Sequence, residues 1–159
     1  MNNQTAGPVV YVDANPFIYF VDGQEETASR IRPFFAALAE RPGAAITSEL
    51  TLAEVLAKAQ PNARRSYFNL IIWSKLFQLE PITRDILIDT ADYRRISQRT
   101  RPDGSKATLK LPDAIHVVTA MRSRCRMFFS ADERLVLPVE MSVIRPNDIG
   151  LAELTKGLA

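Results

Sequence analysis

Along this chain, apolar runs of four to six residues alternate with longer segments whose apolar residues recur every three to four positions. Few folds accommodate that alternation. A continuous apolar run so short reads as a strand covered on both faces, and strands separated by helices are joined as parallel βαβ units. The strand candidates are Pro8–Val12, Ala44–Thr47, Phe77–Ile82, Arg126–Ser130 and Met141–Ile144. Helical spacing predicts helices over Glu25–Glu40, Thr51–Ala59, Asn62–Lys75, from a Thr83 cap to about Gln98, and over Asp113–Ser123. Arg41-Pro42-Gly43 and Gln60-Pro61 stop the first two helices, and Arg101-Pro102-Asp103-Gly104-Ser105-Lys106 is a polar loop with turn chemistry at Pro-Asp-Gly. The expected architecture is α/β: one domain over residues 1–159, a five-stranded parallel sheet with helices on both faces.

Composition then removes several chemistries. Cys125 is the single cysteine, so the chain forms no internal disulfide and no cysteine-based zinc site. His116 is the single histidine, which excludes a histidine pair and zinc held by several imidazoles. No run reaches the roughly 18 apolar residues of a membrane span, and Met1–Thr5 has no basic leader, so a soluble, cytoplasmic protein is expected. A net charge of +2 permits nucleic-acid binding without requiring it.

Open parallel sheets carry their functional groups at the carboxyl ends of the strands, and acids recur there. Asp13 follows the first strand, Glu54 lies one turn into the helix after the second, Asp113 opens the helix after the polar loop, and Asp132 follows the fourth strand. Each also has a purely structural reading. Asp13 can form an Asx turn or cap a helix after Pro16, and Asp113 can be an N-cap. Thr51–Glu54 and Ser130–Glu133 both match a capping box. Together the acids say more. Crowded carboxylates repel and raise one another's pKa unless a cation neutralises them. An oxygen-only site suits Mg²⁺ or Mn²⁺, which activates water and stabilises charge on a phosphodiester.

Four segments carry a family resemblance: Val10-Tyr11-Val12-Asp13-Ala14-Asn15, Thr47-Ser48-Glu49-Leu50-Thr51-Leu52-Ala53-Glu54-Val55, Leu111-Pro112-Asp113-Ala114-Ile115-His116 and Phe128-Phe129-Ser130-Ala131-Asp132. In this order they resemble the successive motifs of PIN domains, most closely those of the VapC toxins of toxin–antitoxin pairs, over about residues 8–146. The resemblance implies a five-stranded parallel sheet and a Mg²⁺- or Mn²⁺-dependent endoribonuclease. It also implies a homodimer and an inhibitory antitoxin that inserts an arginine near the acids. Asp13, Glu54 and Asp113 match the family's three strongest acids, Asp132 its more variable fourth, and Ser130 the hydroxyl before it. The long polar loop over Thr100–Lys110 departs from the pattern and bears on substrate access.

Other residues take lesser parts. Glu49 lies five positions before Glu54, about 140° around a helix, so both cannot face one metal; Glu54 sits in the better helical pattern. Asp103 is turn chemistry, and Asp85, Asp89 and Asp92 form a solvated face. Asn15 either holds a water or phosphate beside Asp13 or is a turn former before Pro16. His116 shares a helix face with Asp113, which hints at metal ligation, but a lone histidine on a helix is more often a packed or surface residue; Cys125 reads as a small buried hydrophobe. Arg94, Arg95, Arg99, Arg101 and Lys106 before Asp113, and Arg122, Arg124 and Arg126 after it, are either RNA-phosphate contacts or solvated surface. The stretch Tyr67–Phe77 is apolar enough all round to face either the core or a second copy. Two further readings compete: a binding module of the same fold whose acids hold no metal, and a phosphotransfer domain. The latter expects a second acid after the first strand, where this chain has Asp13-Ala14-Asn15.

Overall fold

A computed structural model describes residues 9–158. Its main sheet is built from β1 (Val10–Val12), β2 (Ala45–Ser48), β3 (Phe77–Glu80), β6 (Met127–Phe129) and β7 (Ser142–Ile144), all parallel, in the order β3-β2-β1-β6-β7. Pro8, where the first strand was expected to begin, lies outside the described residues. Register places Val10 beside Ala45 on one flank and beside Met127 on the other, so β1 is the central strand.

Side chains of a strand alternate between faces, and here that alternation divides the core in two. Val10, Val12, Ala45, Met127 and Phe129 enter one apolar cluster, whereas Tyr11, Ile46 and Phe128 enter the other. The first is closed by α1 (Ala14–Val21), α2 (Glu25–Glu40), α3 (Leu50–Lys58), α4 (Arg64–Phe68) and α7 (Asp148–Leu158), through Phe17, Phe34, Val55, Tyr67 and Leu154 among others. The second is closed by α5 (Arg84–Ile96) and α6 (Leu111–Arg122), through Ile86, Tyr93, Ile115 and Val118. Both faces are therefore covered, which is why these strands lack a polar side and read as unbroken apolar runs.

Several elements differ from expectation. The helix after β1 starts at Ala14, with Asp13 as its N-cap, so Asn15 and Pro16 belong to its first turn. The helix expected over Asn62–Lys75 is α4 followed by a π-helical segment at Asn69–Trp73, in which the Ser74 amide donates to the Asn69 carbonyl, five residues back. The polar loop is the tip of a two-stranded antiparallel ribbon, β4 (Arg99–Thr100) and β5 (Lys106–Ala107), turned by Gly104 at φ +82°, a value that favours glycine. The helix α7 was not expected at all. No helix among the described residues is long and apolar enough to cross a membrane.

Phe129 is fully buried and meets the Phe34 ring edge-on at 5.0 Å. Truncating Phe129→Ala should cost about 3–5 kcal/mol, read as a lower urea midpoint at an unchanged slope.

Candidate active site

The carboxyl edge of the sheet delivers the acids by different routes. β1 ends at Asp13, whose amide donates to the Phe129 carbonyl at 3.0 Å. Its carboxylate is then fixed from three directions. Oδ1 accepts from the Ala14 amide at 2.7 Å; Oδ2 accepts from Ser130 Oγ at 2.7 Å and from Asn15 Nδ2 at 3.2 Å. Ser130 in turn accepts from the Asp132 amide, and Asn15 Oδ1 accepts from the Ala131 amide at 2.9 Å. The two amide atoms of Asn15 are thus spent clipping the turn after β6 to the start of α1.

Glu54 projects from α3 toward α6. The capping-box reading does not hold: the Thr51 hydroxyl bonds Thr47 Oγ1 at 2.7 Å, the Leu50 amide donates to Ser48 Oγ, and Glu54 Oε2 lies 2.6 Å from His116 Nε2. Asp113 is not the N-cap of α6 either; Lys110 holds that position, and Asp113 lies in the first turn, free to face the cleft. No helix follows Ser130–Glu133 to be capped. There Asp132 accepts from the Arg134 amide at 2.9 Å, and Arg134 Nε and Nη2 donate to its two oxygens at 3.0 and 3.1 Å. Arg145 braces the same turn by donating to the Ser130 and Asp132 carbonyls.

All four acids line one open cleft of about 680 Å³, with Asn15, Lys58, Lys110 and Arg134 also on its walls. Within it the tightest group is Asp13, Glu54 and His116, each offering an atom within 4.8 Å of the others. His116 is the residue that sequence reasoning undervalued. It is packed rather than on the surface, with 1% exposure, and it is packed into the site. The Ser48 amide donates to Tyr11 Oη at 3.1 Å, which leaves the phenol hydrogen for His116 Nδ1 at 2.6 Å. Nε2 then carries the hydrogen donated to Glu54. Protonating the ring adds a hydrogen at Nδ1 and leaves the Nε2–H in place. His116 therefore orients Glu54 from behind, and the carboxylates are the groups left facing the cleft. The sequence signal was present: Asp113 and His116 are three apart, on one helix face.

The donor set fits a hard divalent cation, being rich in oxygen and open on one side. Burial, then the charges of Asp132 and Asp13, hold the Asp113 carboxyl above its ordinary pKa, with His116 opposing them. A cation shared by these acids relieves the same repulsion. Asp132 goes the other way, lowered by its hydrogen bonds to Arg134 against a smaller cost of burial. Burial alone would lower the His116 pKa, but the Glu54 hydrogen bond and the charges of Asp13, Glu54 and Asp113 outweigh it and hold it above the ordinary value.

The basic clusters divide. Arg95 pairs with Asp92 at 2.8 Å, Arg122 pairs with Asp89, and Arg94 Nε donates to the Leu109 carbonyl, so these arginines serve α5 and α6. Arg99 and Arg101 instead line a pocket beside the cleft. Lys58, Lys110 and Arg134, all on the cleft wall, were not singled out in the sequence.

The family described as PIN domain matches residues 10–137. Among solved structures, the chain is similar in fold to the crystal structure of Mycobacterium tuberculosis VapC20, described as a sarcin–ricin loop cleaving toxin. The two share 14% identity at a TM-score of 0.61, over 79% of this chain and 91% of that one. No curated protein matches the sequence.

Amide substitutions separate the roles of the acids in the metal-free protein. In EDTA, Asp113→Asn should melt at or above the parent, because it removes a repelled charge. Asp13→Asn should lose about 1–3 kcal/mol, because its new amide faces the donors Ser130 and Asn15. The raised His116 pKa sets a pH dependence. Its stabilisation is complete below the unfolded value of about 6.5 and is lost as pH rises through the higher folded value. Melts in EDTA should therefore fall with pH above about 6.5, and His116→Gln should flatten that fall.

Proposed function

The chain belongs to the PIN-domain family, and we propose that it is a metal-dependent endoribonuclease, hydrolysing RNA phosphodiester bonds with Mg²⁺ or Mn²⁺ held by Asp13, Glu54, Asp113 and Asp132. The single observation that carries this reading is the cleft itself, where four acids from four separate segments meet with cations on the same wall. A bound Mg²⁺ or Mn²⁺ supplies activated water and offsets negative charge gathering on the phosphate. The protein's own part is orientation. Ser130 and Asn15 fix the Asp13 carboxylate, and His116 fixes Glu54. Lys58 and Lys110, both on the cleft wall, hold the phosphate of the incoming strand. Asp132, already neutralised by Arg134, takes the weakest share of the metal.

The toxin role, a cognate antitoxin, a homodimer and a cytoplasmic setting come with the VapC resemblance and are part of the proposal. Two observations bear on the antitoxin and on the homodimer. Arg134 donates to both oxygens of Asp132, so a guanidinium finds a ready place among these acids, as an antitoxin arginine requires. Trp73, in the all-round apolar stretch Tyr67–Phe77, is a large apolar side chain left exposed, suited to a second copy.

Cleavage of a mixed RNA pool in Mn²⁺ and in EDTA tests the reading. The parent should cut only with the metal. Asp13→Asn, Glu54→Gln and Asp113→Asn should each lose about a hundredfold or more, and Asp132→Asn less. Because water is the nucleophile, a 2′-deoxy substitution at the cut should leave cleavage intact. If the Asp13 and Asp113 amides cut like the parent, the assignment of the site is wrong.

A further inference from the structure

Beside the acidic cleft lies a second, smaller pocket of about 310 Å³, roofed by the β4–β5 ribbon and the segment leading into α6. The two share Lys110, Asp113 and Arg134, so the pocket opens at the third acid. Its walls have two characters. Arg99, Arg101 and Lys110 bring positive charge, and among the described residues none of the three is within ion-pair distance of a carboxylate. Ala107, Leu109 and Val136 add an apolar wall, beside Thr108, Asp113 and the Arg134 that is paired with Asp132. Ser97 also lines the pocket, and its hydroxyl, shielded in this conformation, has no hydrogen-bond partner. Native proteins leave few such groups unpaired, and each calls for an explanation.

A ligand that answers all three features is flat, partly apolar, bears a hydrogen-bonding edge and carries an anion. A nucleotide with an unpaired base has these properties. The volume is at the low end of the roughly 300–1,000 Å³ of small-molecule sites, which suits one nucleoside and excludes a duplex. Unpaired RNA bases are commonly splayed out, stacked on guanidinium planes and read at their edges. We infer that this pocket receives the nucleotide next to the cleaved phosphodiester of a single-stranded RNA segment. The base lies against the apolar wall, Ser97 swings its hydroxyl into the pocket by a change of χ1 to read the base edge, and Arg99, Arg101 and Lys110 hold its phosphates. The ribbon that departs from the family pattern is thereby a specificity element. The inference rests on the nuclease reading of the adjoining cleft.

Binding measured without cleavage keeps the two apart. Fluorescence anisotropy of labelled single-stranded decamers in EDTA, over a series of salt concentrations, reads affinity and charge contacts together. Arg99 and Arg101 are exposed, and Arg99→Ala/Arg101→Ala should melt like the parent. That double variant should bind at least tenfold more weakly, and its log Kd against log salt should be shallower by roughly 1.4, about 0.7 per lost contact for single strands. Ser97→Ala should narrow the spread of affinities among the four homopolymers by about three- to tenfold. Parental affinity and slope in the double variant overturn the pocket, as does a parent that binds no single-stranded RNA. An unchanged homopolymer spread in Ser97→Ala overturns the placement of the base. If instead the parent binds with the predicted slope but cuts nothing in Mn²⁺, the nuclease reading falls, and with it the placement beside a cut, while single-stranded RNA binding in the pocket stands.

Discussion

Carboxylates gathered at one edge of a sheet repel one another, and this fold answers with donors drawn from its interior. Tyr11 is the telling residue. It belongs to the central strand, stacks on Phe128 at 5.0 Å, and is fully buried. Its phenol accepts from the Ser48 amide and donates to His116, which donates to Glu54. One chain of hydrogen bonds therefore runs from the backbone of β2 through the core to the cleft. On the other side of β1, Ser130 and Asn15 do the same for Asp13. The acids can be held close because the groups that hold them are themselves packed or hydrogen-bonded, an arrangement typical of metal ligands and their orienting partners.

The fold was largely legible because its signals are local and mutually consistent. Short apolar runs marked the five strands, and their unbroken apolar character foretold two covered faces. Where the reading missed, nonlocal packing or low propensity was responsible. The helix α7 contains Gly150 and Gly157, poor helix formers. Its stability comes from Leu151, Leu154 and Leu158 buried against the core, and its start from the Asn147 side chain accepting from the Gly150 amide. The ribbon at 99–107 has only two residues per strand, too few for alternation to register.

The site was legible as residue types at strand ends, but not as a network. Sequence alone could not decide between capping and ligation for Glu54 and Asp113, because both readings use the same residue at the same spacing. The structure removes the capping reading alone: the Leu50 amide at the start of α3 donates to Ser48 Oγ, and Lys110 holds the N-cap position of α6. His116 was discounted because a lone histidine on an apolar helix face is usually packed. Here the packed ring also reaches the candidate site, since it fills the space between Tyr11 and Glu54. Arg134 escaped notice because its partner, Asp132, sits only two residues away in a turn.

The central claim is that these acids form a binding site for a divalent cation. Direct Mn²⁺ titration followed by electron paramagnetic resonance, in which the free-ion signal falls as the metal binds, tests it without any substrate. The parent should bind saturably, with Mg²⁺ competing, and Asp13→Asn and Asp113→Asn should weaken binding strongly. His116→Gln should lose less, about 10–100-fold for an orienting partner. Equal, non-saturating binding by the parent and the Asp113→Asn variant would contradict the claim.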